Sequence, residues 1–170
     1  MIHEILPVGM LECNCSILGD AGSGEAIVVD PGDDIPGIMA VLERHKLKVK
    51  QILITHAHID HIAGAGQLKK LTGAPILYNQ RDLPLVKMMD VQAGWLGMAT
   101  PEVLPPDDGL EEGRVIAVAG ISGNVLETPG HTPGSICLYL PAERLLLAGD
   151  TLFARSVGRT DLPGGDARTL

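Results

Sequence analysis

The 170-residue sequence predicts an α/β fold of two αβ layers with a functional site along one shared edge. Three observations predict it. Strand-like runs at 49–55, 124–127 and 145–148 each lead directly into a short loop bearing His or Asp, where open α/β sheets place their ligands. In the first half, segments with helical apolar spacing alternate with those strands. Apolar residues make up 45% of the chain and aromatics only 2%, so the core is aliphatic, and the length suffices for a substantial one within a single domain spanning 1–170.

Taken in order, 1–8 and 14–18 read as two strands, and Ala21-Gly22-Ser23-Gly24 as the turn before a third, 26–29. That apolar run ends in Asp30-Pro31-Gly32, where Asp30 reads as a turn former or as the hydrogen-bonding partner of a ligand histidine. Asp33 or Asp34 caps a helix with Pro36 in its first turn and Ile38, Val41 and Leu42 on its apolar face. Strand 49–55 is followed by a polar loop and by a helix over 62–72 closed by Gly73. A strand at 75–78 and a helical stretch at 80–89 come next. From 91 to 113 little periodicity survives and Pro101, Pro105 and Pro106 interrupt the chain, which reads as a long loop or a lid. The second half reads as strands at 114–119 and 124–127, a turn-rich loop at 128–135, and a hairpin of 135–140 with 145–148.

The chemistry concentrates in Thr55-His56-Ala57-His58-Ile59-Asp60-His61, which holds three of the six histidines. Neutral imidazoles suit zinc and iron, and the carboxylate adds an oxygen donor. On a helix His56 and His58 would point about 200° apart, whereas on extended chain positions two apart share a side. The cluster is therefore expected on chain leaving strand 49–55. His131 lies between Pro129-Gly130 and Pro133-Gly134, a stiff platform suited to holding a ligand. Asp150 follows Leu145-Leu146-Leu147-Ala148, so its carboxylate is expected to be buried and hence paired or coordinated. His3 and His45 read as surface histidines.

A formal net charge of −8 argues against a nucleic-acid-binding surface, while a bound dication would still allow a small anionic substrate. The three cysteines, with Cys13 and Cys15 two apart, read as reduced buried thiols. A Cys-x-Cys metal site is the alternative. The opening Met1-Ile2-His3-Glu4 lacks the charged and apolar regions of a signal peptide, and no apolar run approaches the ~18–20 residues that span a bilayer. A cytoplasmic protein without membrane association is expected.

Thr-His-Ala-His-Ile-Asp-His at 55–61, Thr-Pro-Gly-His-Thr at 128–132 and Gly-Asp-Thr-Leu-Phe at 149–153 together resemble the metallo-β-lactamase superfamily. Gly149-Asp-Thr-Leu-Phe153 and the stretch 158–166 are similar to its single-domain glyoxalase II-like (hydroxyacylglutathione hydrolase-like) members. The resemblance implies an αβ/βα four-layer sandwich with a binuclear metal site between the sheets, up to two zinc ions per chain, with iron or manganese as alternatives. By position, His56, His58 and His131 would hold the first metal, Asp60 and His61 the second, and Asp150 would bridge them. It implies attack of a metal-bound hydroxide, oriented by Asp60, on a small-molecule thioester such as S-2-hydroxyacylglutathione.

Two departures stand out. The family's second metal takes one more histidine near the end of a longer chain, and no histidine follows His131 here. The second half is thus expected to be incomplete at its C-terminus, with the second site incomplete or completed by water or another subunit. Arg159 falls at the family's basic substrate-binding position, but Asp161 stands where a tyrosine would be. Arg159 is therefore expected either to meet substrate or to pair with Asp161. The alternatives are a persulfide dioxygenase-like iron enzyme, using His56, His131 and Asp150 as a two-His-one-carboxylate site, and a catalytically silent metal-binding module.

Overall fold

A computed structural model describes residues 1–170. Its first sheet has the order β1-β2-β3-β4-β5, with β1 Ile2–Val8, β2 Cys13–Asp20, β3 Glu25–Val29, β4 Lys48–Leu53 and β5 Ile76–Leu77. The strands β1, β2 and β3 pair antiparallel, and β3, β4 and β5 pair parallel. Helix α1, Ile35–Arg44, makes the β3–β4 crossover. The short α2, Ile59–Ile62, and α3, Ala65–Thr72, make the β4–β5 crossover. Asp34 caps α1 by accepting from Gly37 N at 3.2 Å, and Gly73 closes α3 in the left-handed region at φ 72°, both as the sequence predicts.

Alternation along the central strands builds two cores. Ala26 and Val28 of β3 point to the helices, where they pack with Ile38, Leu42, Ile52 and Leu68. Ile27 and Val29 point the other way, with Leu53 and Leu77, onto the second sheet. A strand buried on both faces needs no polar alternation, which is why 26–29 is uniformly apolar.

The second sheet is an antiparallel meander, β6 Val115–Val118, β7 Ile121–Glu127, β8 Ile136–Leu140 and β9 Leu145–Leu147. Its inner face, including Ile116, Val125, Ile136, Leu138 and Leu140, closes the inter-sheet core. Val115, Leu126, Tyr139 and Leu146 on its outer face are exposed. A small hairpin, β10 Leu152–Phe153 with β11 Ser156–Val157, follows. Within residues 1–170 the expected four-layer sandwich is therefore present as three layers: helices, sheet, sheet. No segment after residue 114 has helical apolar spacing, so nothing in the second half supplies an outer helical layer.

The stretch 91–113 is more ordered than its sequence suggests. A 3-10 turn over Gln80–Asp82, helix α4 Leu83–Val86 and helix α5 Met89–Leu96 continue through Val91. Helix α5 buries Met89, Gln92 and Ala93 beneath the polar loop after β4. Its short buried face carries too few apolar residues for a visible period. Gly97, at φ 63°, ends it.

Candidate metal centre

Chain leaving β4 delivers the first donors. Thr55, His56, Ala57 and His58 are extended or irregular, and His58 is the last extended residue, φ −75° and ψ 148°, before α2 begins. His56 and His58 therefore point inward together, as their spacing predicts. Asp60 and His61 sit on α2. His131 arrives from the β7–β8 loop and Asp150 from the turn after β9. Ile136 N donates to the Thr55 carbonyl at 2.9 Å, which ties the two sheets together at the site.

The six predicted donors converge. His131 Nε2 lies 2.9 Å from His58 Nδ1 and 3.2 Å from His56 Nε2. His61 Nε2 lies 3.4 Å from Asp60 Oδ2 and 3.4 Å from Asp150 Oδ1. Asp150 also reaches towards His131 Nε2, at 3.6 Å. Two donor triads result, His56–His58–His131 and His56–His61–Asp150, each with ligand atoms within 4.8 Å of one another. His56 belongs to both. Asp60 stands beside the second triad with its side chain partly exposed.

Neighbouring groups set the proton positions. The Arg159 carbonyl can only accept, so His131 donates to it from Nδ1 at 2.7 Å and keeps its Nε2 lone pair facing inward. Asp30 Oδ2 accepts from Thr55 Oγ1 at 2.7 Å and from His61 Nδ1 at 2.9 Å, and Asp30 Oδ1 accepts from Thr55 N at 2.7 Å. With its proton committed to Asp30, the Thr55 hydroxyl accepts from His56 Nδ1 at 3.1 Å. One carboxylate thus orients His61 directly and His56 through Thr55, the kind of support that fixes a metal-ligating imidazole. Asp30 is also a turn former, at φ 54°, so both readings of it hold.

The electrostatics suit a cation. Burial and the neighbouring imidazoles push His56 well below the usual histidine range. Burial, followed by His131, lowers His58 to about 4. Both are unprotonated lone-pair donors at neutral pH. Burial also disfavours charge on His61, but Asp30, Asp150 and Asp60 outweigh it and hold the ring well above its ordinary value. Asp150, expected buried after its apolar run, is instead 33% exposed because it opens onto the cleft; its carboxyl and that of Asp60 are lowered despite partial desolvation, chiefly by His61. Bare imidazole nitrogens packed together, beside a position where carboxylates demand positive charge, fit divalent metal by the chemistry of the donor set.

These shifts give the metal-free protein a pH-dependent stability. Below pH 6.5 the unfolded chain binds protons that folded His56 and His58 refuse, so stability falls as pH drops towards about 4. His58 alone accounts for about 2 kcal/mol between pH 7 and pH 5. His61 acts oppositely: its contribution is complete below 6.5 and is lost as pH rises through its higher folded value. Urea midpoints of chelator-treated protein at several pH values measure this, and a profile flat from pH 7 to pH 5 would contradict it.

Other predicted residues fall outside the clusters. The Arg159 guanidinium forms a two-pronged pair with Asp161, both contacts at 2.7 Å, with the two side chains 61% and 68% exposed. What Arg159 gives the site here is its carbonyl. Cys13, Cys15 and Cys137 are buried and unbridged. Cys13 Sγ lies 3.5 Å from His61 Nδ1, the nitrogen already turned to Asp30, and no thiol joins either triad. His45 pairs with Glu4 at 2.7 Å, and His3 lies 3.4 Å from the Ser16 hydroxyl.

Two buried supports carry no sequence signal. Gln92 on α5 accepts from Ile59 N at 2.9 Å and donates to the Leu85 carbonyl at 3.0 Å. Asp82 accepts from Ala57 N at 2.8 Å. Gly32 is similarly hidden: a Cβ there would lie 1.6 Å from the Asp60 carbonyl oxygen, so only glycine lets the β3–α1 turn lie against α2.

A cleft of about 610 Å³ opens onto Asp60, His61 and Asp150 between β2 and β9. Its walls carry Ile5, Leu11, Leu145 and Phe153 with Asn14, and no Lys or Arg.

Two stacked sheets, with histidines and carboxylates from three chain segments gathered at one edge, define an α/β protein of the metal-centre class. The chain belongs to the metallo-beta-lactamase superfamily, whose family model matches residues 8–170. A hydroxyacylglutathione hydrolase, GloC, from Haemophilus influenzae is 36% identical over 169 residues, covering 98% of this chain and 79% of that protein. The crystal structure of the BLEG-1 B3 metallo-beta-lactamase superposes with a TM-score of 0.90 at 30% identity, covering 99% of this chain and 81% of that one. That of TTHA1623 in a di-iron-bound form gives 0.86 at 35% identity, covering 98% and 81%. No helix is long and apolar enough to cross a membrane.

Proposed function

We propose that this chain is a metal-dependent hydrolase that cleaves a small-molecule thioester, S-2-hydroxyacylglutathione being the leading candidate. The observation that carries the reading is the pair of donor triads sharing His56, of which His61 and Asp150 line a cleft together with Asp60. The relative named hydroxyacylglutathione hydrolase supports the substrate class. His56, His58 and His131 would hold one divalent ion, and His61, Asp60 and Asp150 would meet a second. Zinc and iron both suit these donors, and the di-iron form of a 35% identical structure keeps iron in view.

A divalent ion in this position supplies Lewis acidity and lowers the pKa of water towards neutrality. The chain's own groups do the rest. Asp60, deprotonated and partly exposed, orients the attacking water and takes its proton. Asp30 and Thr55 keep the His61 and His56 rings from turning. The apolar wall of the cleft excludes water from the acyl group. A thiolate is a good leaving group, so no strong general acid is needed. Arg159 would meet a substrate carboxylate by exchanging Asp161 for it.

The test is elemental analysis of the purified protein combined with turnover of S-2-hydroxyacylglutathione before and after chelation. Metal at one or two equivalents, with hydrolysis lost on stripping and regained on reloading, is the expected result. Turnover that survives complete stripping would overturn the reading. One iron per chain with oxygen consumption would instead favour persulfide dioxygenase-like chemistry. Full loading with no turnover of any thioester would favour a silent metal-binding module.

A further inference from the structure

We propose that Asp82 is a positioning residue that locks the two histidine loops together and thereby sets the affinity of the metal centre. The inference rests on the metal-binding part of the function proposed above. Asp82 lies in the 3-10 turn before α4, far in sequence from both loops, and is 1% exposed. Its carboxylate makes three contacts. Oδ2 accepts from Ala57 N at 2.8 Å and from Thr132 Oγ1 at 2.8 Å, and Oδ1 accepts from Gly134 N at 2.6 Å. Ala57 is the residue between His56 and His58, and Thr132 directly follows His131. One buried side chain therefore bonds to positions adjacent to all three imidazoles of the first triad.

The contacts are specific for a carboxylate. All three partners are donors, and an amide would turn an N–H towards at least one of them. Thr132 is prepared for this role: the Ser135 hydroxyl lies 2.8 Å from Thr132 Oγ1 and accepts from Thr132 N at 3.1 Å, leaving the threonine proton for Asp82. Gly134 is also explained. A Cβ at that position would stand 2.7 Å from the Asp82 carboxyl carbon, so glycine is what lets the His131 loop close onto the carboxylate. Burial pushes the Asp82 carboxyl up, while the three donors pull it down.

The geometry implies a division of labour. Asp30 orients His56 and His61 as rings, whereas Asp82 fixes the distance between the backbone carrying His56 and His58 and the backbone carrying His131. Those rings already sit 2.9 and 3.2 Å apart. His56 and His131 both donate from Nδ1, so their two Nε2 lone pairs face each other at 3.2 Å and repel unless a cation lies between them. Without the tie, the loops relax apart.

The experiment compares parent protein, Asp82→Asn and Thr132→Val. Zinc affinity is read by competition with a chromophoric chelator, the Co(II) visible spectrum reports ligand geometry, and the melting temperature of the metal-free form reports folding. The expected result is a loss of about tenfold or more in zinc affinity for Asp82→Asn, the range for supporting groups around a metal. A smaller loss in the same direction is expected for Thr132→Val, which removes one of the three bonds. Both should show an altered Co(II) spectrum. A purely structural role would lower the metal-free melting temperature and leave the affinity of folded protein intact. If Asp82→Asn does not fold, Thr132→Val decides alone. Affinity within twofold of the parent, with an unchanged spectrum, overturns the inference while leaving the proposed function standing. Failure of the parent itself to bind zinc, cobalt or iron overturns both.

Discussion

His131→Ala is expected to cost three orders of magnitude or more in kcat/KM and to leave the purified protein depleted of metal. Its Nε2 is the point where the first triad closes, lying within 3.2 Å of both His56 and His58. It is also the only histidine that the second sheet contributes. Without it the first triad keeps only His56 and His58, both from the loop after β4, and Asp150 is the one donor left from the second sheet. Stabilising the charge of a developing oxyanion does more than any other single effect in such reactions, and a thousandfold loss is about 4 kcal/mol of it. The fold should survive, because the substitution relieves the crowding of three buried rings and costs one hydrogen bond, that to the Arg159 carbonyl. Paired elemental analysis and steady-state kinetics decide the matter. A variant that retains a full metal complement and more than a tenth of parental activity would remove His131 from the centre.

Asp30→Ala is expected to be the most destabilising single substitution at the site, by about 3–5 kcal/mol in the metal-free protein. The residue is 3% exposed, and its side chain accepts from Thr55 N, the Thr55 hydroxyl and His61 Nδ1. Alanine would strand all three donors in the interior. It would also sit at φ 54°, a left-handed conformation that Asp and Asn tolerate far better. Asp30→Asn keeps the backbone and one acceptor oxygen, so it should cost about half as much. Urea denaturation after chelation separates the two effects. A cost below about 1 kcal/mol for the alanine variant would mean that the Asp30 network carries little stability. Because His56 depends on Asp30 through Thr55, Asp30→Ala should weaken metal binding as well.

The His-x-His-x-Asp-His stretch was legible because its constraint is local. Period-two spacing after a β-branched run excludes a helix for His56 and His58, and the chain there is non-helical, bending at Thr55 and His56 and extended at His58. The stiff Pro-Gly frame of His131 and the apolar run before Asp150 were legible for the same reason, since each is a property of a few adjacent residues. Asp30 was half legible: its turn role follows from Asp-Pro-Gly, while its bond to His61 needed the fold. The order in 91–96 was not legible, because α5 buries only Met89, Gln92 and Ala93, too short a face to print a period.

Sequence alone determined which side chains could bind metal, the strands that carry them, and membership of the α/β class, since ligand chemistry, strand periodicity and turn formation are decided within a few residues. Tertiary structure decided that His56 is common to both triads, that the Arg159 carbonyl meets His131 while its guanidinium pairs with Asp161, and that Asp82 and Gln92 bond to the loop carrying His56 and His58. Those facts are distances between segments tens of residues apart in sequence. They are fixed by how two sheets and a helical layer exclude water, and a buried acid in a short helical turn looks in sequence like any solvated one.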